Sequence, residues 1–394
     1  MDSTESGRRL LAPEPRILAL DGLRGLAIAA VLVMHLYIRL PTPPGDGIHS
    51  VLKRCFSLAY TGVDLFFVLS GFLIGGILLA RRRSPNLIKV FYVRRFFRIV
   101  PLYSLLLLSF FLVPESAELN ALNGGHLFAG TVPFPLYVLF LQNFGMSWSN
   151  ALGAYWLIVT WSLAIEEQFY LIVPWIVRAV SSGTVLAIAI VFACVAPAAR
   201  LLILQFCENS GLAAAYLLPC RADALLMGVI VAWAMGSESA RRLLKSNRPL
   251  LRSLSTGLAV LFVALSAGNY DFISWVMTPF GYSIVALFYA VILLRVLVDE
   301  SPLLNRTLTY PPLRKLGRIS YFVYLFHQPV TYLLHGYLRH QPPQLTVAPD
   351  YLVTLLAAVL VIVLGLLSLR WIEGPLLAIG HRYAFSHPAS GEAV

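Results

Sequence analysis

Residues 17–37 read ILALDGLRGLAIAAVLVMHLY, and this stretch decides what kind of protein the chain forms. It is long enough to cross the hydrocarbon core of a bilayer as a helix, which takes about 20 predominantly apolar residues. Yet it contains Asp21, Arg24 and His35. At 3.6 residues per turn, the interval from Arg24 to His35 makes about three turns and puts both side chains on one helix face, about 16 Å apart. A charged side chain at membrane depth costs roughly 3 kcal/mol on insertion scales, so such residues face a cavity or a partner and usually carry function. The stretch predicts a membrane enzyme or transporter with a polar interior.

The rest of the chain extends that reading. Of 394 residues, 58% are hydrophobic and only 12% are charged, more apolar surface than a soluble domain can cover. The expected fold is an all-α polytopic bundle of about ten membrane helices, near residues 17–37, 57–80, 97–113, 155–177, 183–204, 212–235, 253–269, 275–298, 319–338 and 351–372. Ten crossings put both termini on one side. The net charge of +11 does not point to nucleic acid, because the basic residues collect in short segments between apolar runs. Residues 81–98 hold seven of them and no acid, residues 236–252 hold five, and Arg306, Arg314 and Lys315 precede Arg318. All three segments fall on the amino-terminal side, which the positive-inside bias makes cytoplasmic. On the other side, residues 114–131 contain Glu115 and Glu118 without Lys or Arg. Residues 132–144, VPFPLYVLFLQNF, are apolar but short and interrupted by proline, so a re-entrant or interfacial piece is expected there.

The domain plan is a polar cytoplasmic lead over 1–16, one transmembrane domain over 17–376 and a cytoplasmic tail over 377–394, without internal repeats or long linkers. No small-residue cleavage site follows the first apolar run, so no signal peptide is expected to be removed. Cys55, Cys194, Cys207 and Cys220 show no CxxC pairing or His-rich surroundings. They are expected to pack, with no metal or redox role.

Seven formal charges lie well inside the expected spans: Asp21, Arg24, Asp64, Glu166, Glu167, Arg221 and Asp223. Unpaired, they would cost on the order of 20 kcal/mol together, so they pair or line water. The structural alternative is a set of pins, an Asp21–Arg24 pair at i and i+3 and an interhelix bridge of the Glu166–Arg221 type. For His35 the alternative is an ordinary hydrogen-bonded core histidine. The functional reading makes it a base oriented by Asp64 or Glu166 from another span.

Three further clusters carry chemistry. In FYVRRFFRIVP (residues 91–101), Arg94, Arg95 and Arg98 sit three and four apart and form a cationic face suited to phosphates, unless they serve only as positive-inside anchors. In TWSLAIEEQFYLIVP (residues 160–174), Ser162, Glu166 and Tyr170 recur on one face. Adjacent residues on a helix point about 100° apart, so Glu166 rather than Glu167 is expected to face the interior. In LGRISYFVYLFHQP (residues 316–329), Ser320, Tyr324 and His327 form a polar ladder, which in a membrane also serves as interhelix glue.

Taken in order, LDGLRGLAIAAVLVMH, GVDLFFVLSGFLIGG, RRFFRIVPLY, TWSLAIEEQFYLIVP, RADALLMGV, GRISYFVYLFHQP and WIEGP, from about Leu20 to Pro375, resemble the acyltransferase-3 family of bacterial integral membrane O-acyltransferases. The resemblance implies transfer of an acyl group, commonly acetyl from cytoplasmic acetyl-CoA, to a sugar hydroxyl of a surface polysaccharide, glycolipid, peptidoglycan or secreted glycoside. The bacterial inner membrane is the implied location. It also implies that Arg24, His35 and the RxxR pair Arg95 and Arg98 are essential. Many members add an extracytoplasmic SGNH-hydrolase-like domain; the sequence reaches Val394 without one, so no acyl relay to a fused domain is expected.

A thioester is already activated, so the protein must deprotonate the acceptor, hold both substrates and stabilise developing charge. The expected parts are His35 as general base or transient acyl carrier, Glu166 and Asp64 as its catalytic partners, and Arg24, Arg95 and Arg98 on the donor. Glu167, Tyr170, Arg221, Asp223, Ser320, Tyr324 and His327 are expected near the substrates. No metal is needed. The alternative function is a proton-coupled transporter or glycan exporter using the same buried charges.

Overall fold

The computed structural model describes residues 17–386 except 44, 46, 113–126, 129, 208, 209, 269 and 300. The lead over 1–16, the end of the tail from 387, and Glu115 and Glu118 of the acidic loop lie outside the described residues. Among the described residues every regular element is helical. In order they are α1 (Leu18–Val33), α2 (Gly47–Cys55), α3 (Gly62–Arg81), α4 (Leu87–Leu112), α5 (Phe134–Val138), α6 (Gln142–Ser149), α7 (Thr160–Ala179), α8 (Ser182–Phe206), α9 (Ser210–Tyr216) and α10 (Leu218–Gly236). There follow α11 (Glu238–Ser246), α12 (Arg248–Ala267), α13 (Tyr282–Val298), α14 (Pro302–Leu308), α15 (Pro311–Arg318), α16 (Ser320–Arg339), α17 (Ala348–Ser368) and α18 (Gly374–His381). Single π turns, Met34–Ile38, Met277–Gly281 and Leu369–Glu373, adjoin α1, α13 and α18.

Eight stretches are long and apolar enough to cross a bilayer: Leu18–Ile38, Gly47–Arg81, Leu87–Leu112, Ser182–Phe206, Ser210–Gly236, Arg248–Ala267, Met277–Val298 and Ala348–His381. The protein is a multi-pass membrane protein. Helices α7 and α16 have 20 residues each but are not among the eight. Glu166, Glu167 and Gln168 in one, and His327, Gln328 and His335 in the other, interrupt their apolar character. These two polar helices contribute Ser162, Glu166, Tyr170, Ser320, Tyr324 and His327 to the candidates.

Residues 132–144 do not form a span. They fold into α5 and the start of α6, two short helices separated at Phe140, whose φ is 55°. Two polar side chains at the start of α6 face inward and are fully buried. Gln142 donates to the Thr160 carbonyl at 2.7 Å and Asn143 to the Tyr216 carbonyl at 3.0 Å. An irregular turn between buried apolar segments is tolerated where protein groups satisfy it, as Gln168 does for the Phe140 carbonyl at 2.9 Å.

The centre of the bundle is the pair α3 and α10. Gly71 lies directly on the Leu225 carbonyl and Gly228 on the Val68 carbonyl, so a Cβ at either position would collide with backbone. Small residues at such spacing let membrane helices approach closely where hydrophobic burial supplies no net drive between them. Two buried ion pairs flank this seam. Arg221 reaches Asp64 at 2.7 Å, and Arg200 reaches Asp223 at 2.9 Å. Arg200 also donates to Ser283 at 2.6 Å and to the Cys220 carbonyl.

Sequence position gives Arg200 no prominence, since it sits near the end of an apolar run. It is nevertheless fully buried and is the partner that Asp223 requires. At the far end of the bundle, Asp350 accepts from Arg339 and Gln341, both at 2.9 Å, and ties the end of α16 to the start of α17. The four cysteines are free, and only Cys220 is buried, which limits the packing role expected of all four to that one.

Candidate active site

Two cavities of about 340 and 300 Å³ lie at opposite ends of α1. The smaller one is at the end that carries Leu18, Arg81 and Leu87. Its wall includes Arg24 of α1, Arg94, Arg95 and Arg98 of α4, Ser162, Glu166 and Tyr170 of α7, Ser320 and Tyr324 of α16, and His381 of α18. The larger one is at the other end. Its wall includes His35, Arg39, Tyr60, Tyr155, Trp161, Tyr216, Arg221, Phe272, Tyr282, Tyr324 and Tyr332. Val63 and Tyr324 belong to both walls and form the septum between them.

The smaller cavity is cationic. None of its four guanidiniums makes an ion pair within 4 Å among the described residues, and Glu166 is the one carboxylate on its described wall. Glu166 is held by Ser70 at 2.8 Å and by Tyr170 at 3.3 Å. Arg24 faces Arg98, Asp21, Glu166 and Tyr170. Arg95 lies between the rings of Phe91 and Tyr170, 5.9 and 5.8 Å from their centroids. Arg94 is partly engaged, since its Nε donates to the Tyr383 carbonyl at 2.9 Å and its guanidinium stacks on Phe385. These guanidiniums have no carboxylate within 4 Å among the described residues, and Asp21, Glu166, Glu167 and Glu373 act on them only at longer range. Fork-shaped guanidinium donors match phosphate oxygens.

The larger cavity is aromatic and holds an oriented imidazole. His35 lies in the π turn Met34–Ile38, where the Arg39 amide bonds the Met34 carbonyl at 3.0 Å, five residues back. Such turns frequently occur at functional sites. The His35 Nδ1–H donates to the Val31 carbonyl at 3.0 Å. That bond fixes the tautomer and leaves the Nε2 lone pair as the basic atom. His327 packs against His35, ring centroids 4.9 Å apart, and its own Nδ1–H donates to the carbonyls of Val323 and Tyr324.

Several expectations need correction. Among the described residues no carboxylate hydrogen-bonds His35; the backbone of its own helix orients it. Asp64 is the partner of Arg221, and Glu166 belongs to the cationic cavity. Helix rotation about its axis decides which span faces which, and spacing along one chain does not encode it. Glu167, Asp223 and His327 line neither cavity. Glu167 lies one residue, hence about 100°, from the interior face. Asp223 is taken up by Arg200 and Ser283, and His327 stands behind His35.

Ser320, Tyr324, Tyr170 and Arg221 are on cavity walls, and Tyr324 is bonded to Ser162 at 2.6 Å and to the Val159 carbonyl at 2.9 Å. Arg39, Tyr60, Trp161, Tyr216, Phe272 and Tyr282 escaped the sequence reading. They come from six separate places in the chain and show no common period.

This fold and these cavities define an integral membrane protein that carries a cluster of guanidiniums and a carbonyl-oriented imidazole near the two ends of one helix. A family profile described as an acyltransferase domain matches residues 17–369, and the chain belongs to the acyltransferase-3 family. Its relatives include the O-acetyltransferase OatA of Staphylococcus aureus, strain NCTC 8325 / PS 47, 26% identical over 410 residues that cover 100% of this chain and 62% of the relative. The peptidoglycan O-acetyltransferase OatA of Listeria monocytogenes is 28% identical, covering 91% of this chain and 55% of the relative. The chain thus spans less than two thirds of the length of these relatives. No solved structure matches it.

Proposed function

We propose that the protein is an O-acyltransferase of the bacterial inner membrane that moves an acyl group, acetyl by preference, from acyl-CoA in the cationic cavity to a sugar hydroxyl in the aromatic cavity. The observation that carries the reading is the pairing itself. Unpaired guanidiniums lie at one end of α1, a tautomer-fixed imidazole at the other, and one shared septum of Val63 and Tyr324 lies between.

The side with the unpaired arginines is the cytoplasmic one in this reading, because the basic segments at 81–98 and 236–252 share it. Arg95 and Arg98, with Arg24 deeper in the wall, hold the phosphates of the donor. The apolar wall between them and the septum, with Phe66, Leu73 and Ile77, accepts its extended arm. The thioester supplies an acyl carbon that needs no further activation. His35 Nε2 takes the proton of the acceptor hydroxyl as its oxygen bonds to that carbon, the C–S bond breaks, and the leaving thiolate regains a proton from the imidazolium, directly or through water, as CoA thiol on the donor side. Ring stacking on Trp161 and Tyr216, 4.3 Å apart, offers a platform for the sugar face. The acceptor class, a cell-surface glycan or glycoside, is drawn from the names of the relatives.

The test is reconstitution of the full chain in proteoliposomes with radiolabelled acetyl-CoA and a soluble oligosaccharide. Label on the sugar, lost in His35→Ala, supports the reading. Sugar flux without donor and without label would favour a transporter instead. An acyl-histidine adduct trapped in the absence of sugar would change the role of His35 from base to carrier.

A further inference from the structure

Around Arg221, the aromatic cavity carries buried polar atoms that no described group satisfies. The guanidinium bonds Asp64 through Nη2 alone, at 2.7 Å, and stacks on the Tyr282 ring at 3.7 Å. Its Nε and Nη1, the hydroxyl of Tyr60 and the second oxygen of Asp64 are all buried without a hydrogen-bond partner. The Arg221 side chain is 3% exposed and that of Asp64 1%. Tyr60 faces Tyr282, Asp64 and Arg221. A buried donor left unmade costs about 1–3 kcal/mol. Three of these atoms belong to Arg221 and Tyr60, which line the cavity, and mark a place that a ligand completes; Asp64 is not on that wall and reaches it only through Arg221.

The kind of ligand follows from charge. The cations on the described wall of this cavity are already compensated, Arg221 by Asp64 and Arg39 by Asp271 at 3.2 Å, and the Nδ1–H of His35 is taken up by the Val31 carbonyl. An anionic ligand would meet a compensated site. A hydroxyl oxygen that accepts from Arg221 and Tyr60 would satisfy the orphan donors of both without adding charge. Polyols carry such groups, and the aromatic rings of Trp161, Tyr216 and Phe272 offer faces for the C–H side of a pyranose.

We infer that Arg221 and Tyr60, with Asp64 compensating the guanidinium from behind the wall, form a subsite that reads a hydroxyl of an uncharged sugar, separate from the hydroxyl that reacts at His35. The inference rests on the proposed acyl transfer for its biological meaning but not for its test. The full chain in nanodiscs is titrated with a neutral N-acetylglucosamine oligomer and with a uronic-acid oligomer of equal length, with binding read by calorimetry. The neutral oligomer binds more tightly. Tyr60→Phe weakens it about tenfold, the effect of one lost hydrogen bond of ordinary to charge-assisted strength, while CoA binding is unchanged and thermal stability is equal to or above that of the wild type. A merely structural Tyr60 would give the same sugar affinity as wild type, because removing an unpaired buried hydroxyl is neutral or stabilising.

Equal affinity in Tyr60→Phe, tighter binding of the acidic oligomer, or binding of neither overturns the subsite. Binding of the neutral oligomer that depends on Tyr60, in a protein that releases no CoA from acetyl-CoA, keeps the subsite and overturns the proposed transferase reaction.

Discussion

The two cavities contain similar numbers of polar side chains but treat charge in opposite ways. Around Arg24, Arg95 and Arg98 no guanidinium is matched within ion-pair distance among the described residues, whereas Arg39 and Arg221 each hold a carboxylate. In a membrane interior an unmatched cation is expensive. Its persistence on one wall and compensation on the other are what the proposed reading rests on, with an anion in the first cavity and an uncharged group in the second. Tyr324 and Val63 keep the two environments apart while leaving them adjacent.

The contrast is broken most severely at the imidazole. His35→Ala should lower acyl transfer by about 10²–10⁴-fold, the usual contribution of a positioned acid or base, while CoA affinity in the opposite cavity is unchanged; loss of CoA binding as well would mean that the cavities do not act separately. Next in size, Arg95→Ala or Arg98→Ala should weaken CoA binding about 10–100-fold, as expected for charge-assisted hydrogen bonds. Calorimetry with CoA and with a neutral oligosaccharide checks that only the former suffers. Tyr324→Ala should remove the septum and raise CoA release in the absence of acceptor several-fold, because water then reaches the thioester. An unchanged background rate would show that Tyr324 does not separate the compartments.

The smallest effect lies outside both cavities and serves as a control. Asp299, just beyond the stretch Met277–Val298, accepts from Arg252 at 2.9 and 2.6 Å, and these bonds hold its carboxyl below the usual range. A depressed carboxyl pKa contributes stability that is present above the unfolded value, about 4, and is lost as pH falls through the folded value. Thermal melts should show Asp299→Asn less stable than wild type near neutral pH, with the gap closing in acid and CoA and sugar binding unaffected. A gap that widens in acid would contradict the assignment.

Much of this was legible in residues 17–37 alone. Arg24 and His35 do reach the two cavities from one helix, and Ser162, Glu166 and Tyr170 do share a wall. Periodicity carries such information because it is a property of one helix. The pairings between helices were not legible. Asp64 answers Arg221 rather than His35, and Asp223 answers Arg200, since axial rotation and neighbour choice are set by packing such as the Gly71 and Gly228 contacts. The π turn at His35 escaped as well, because one extra residue per turn leaves no mark on composition. The aromatic wall was hidden for a third reason: its rings arrive singly from helix ends and connecting segments.

The central claim is that one bundle passes an acyl group from a thioester at the cationic end of α1 to a hydroxyl at the His35 end. It is tested most directly in proteoliposomes of uniform orientation, with labelled acetyl-CoA confined to the side of Arg95 and Arg98 and an oligosaccharide confined to the other. The account predicts labelled sugar across the membrane from the donor, abolished by His35→Ala. Label found only on sugar supplied from the donor side would contradict it.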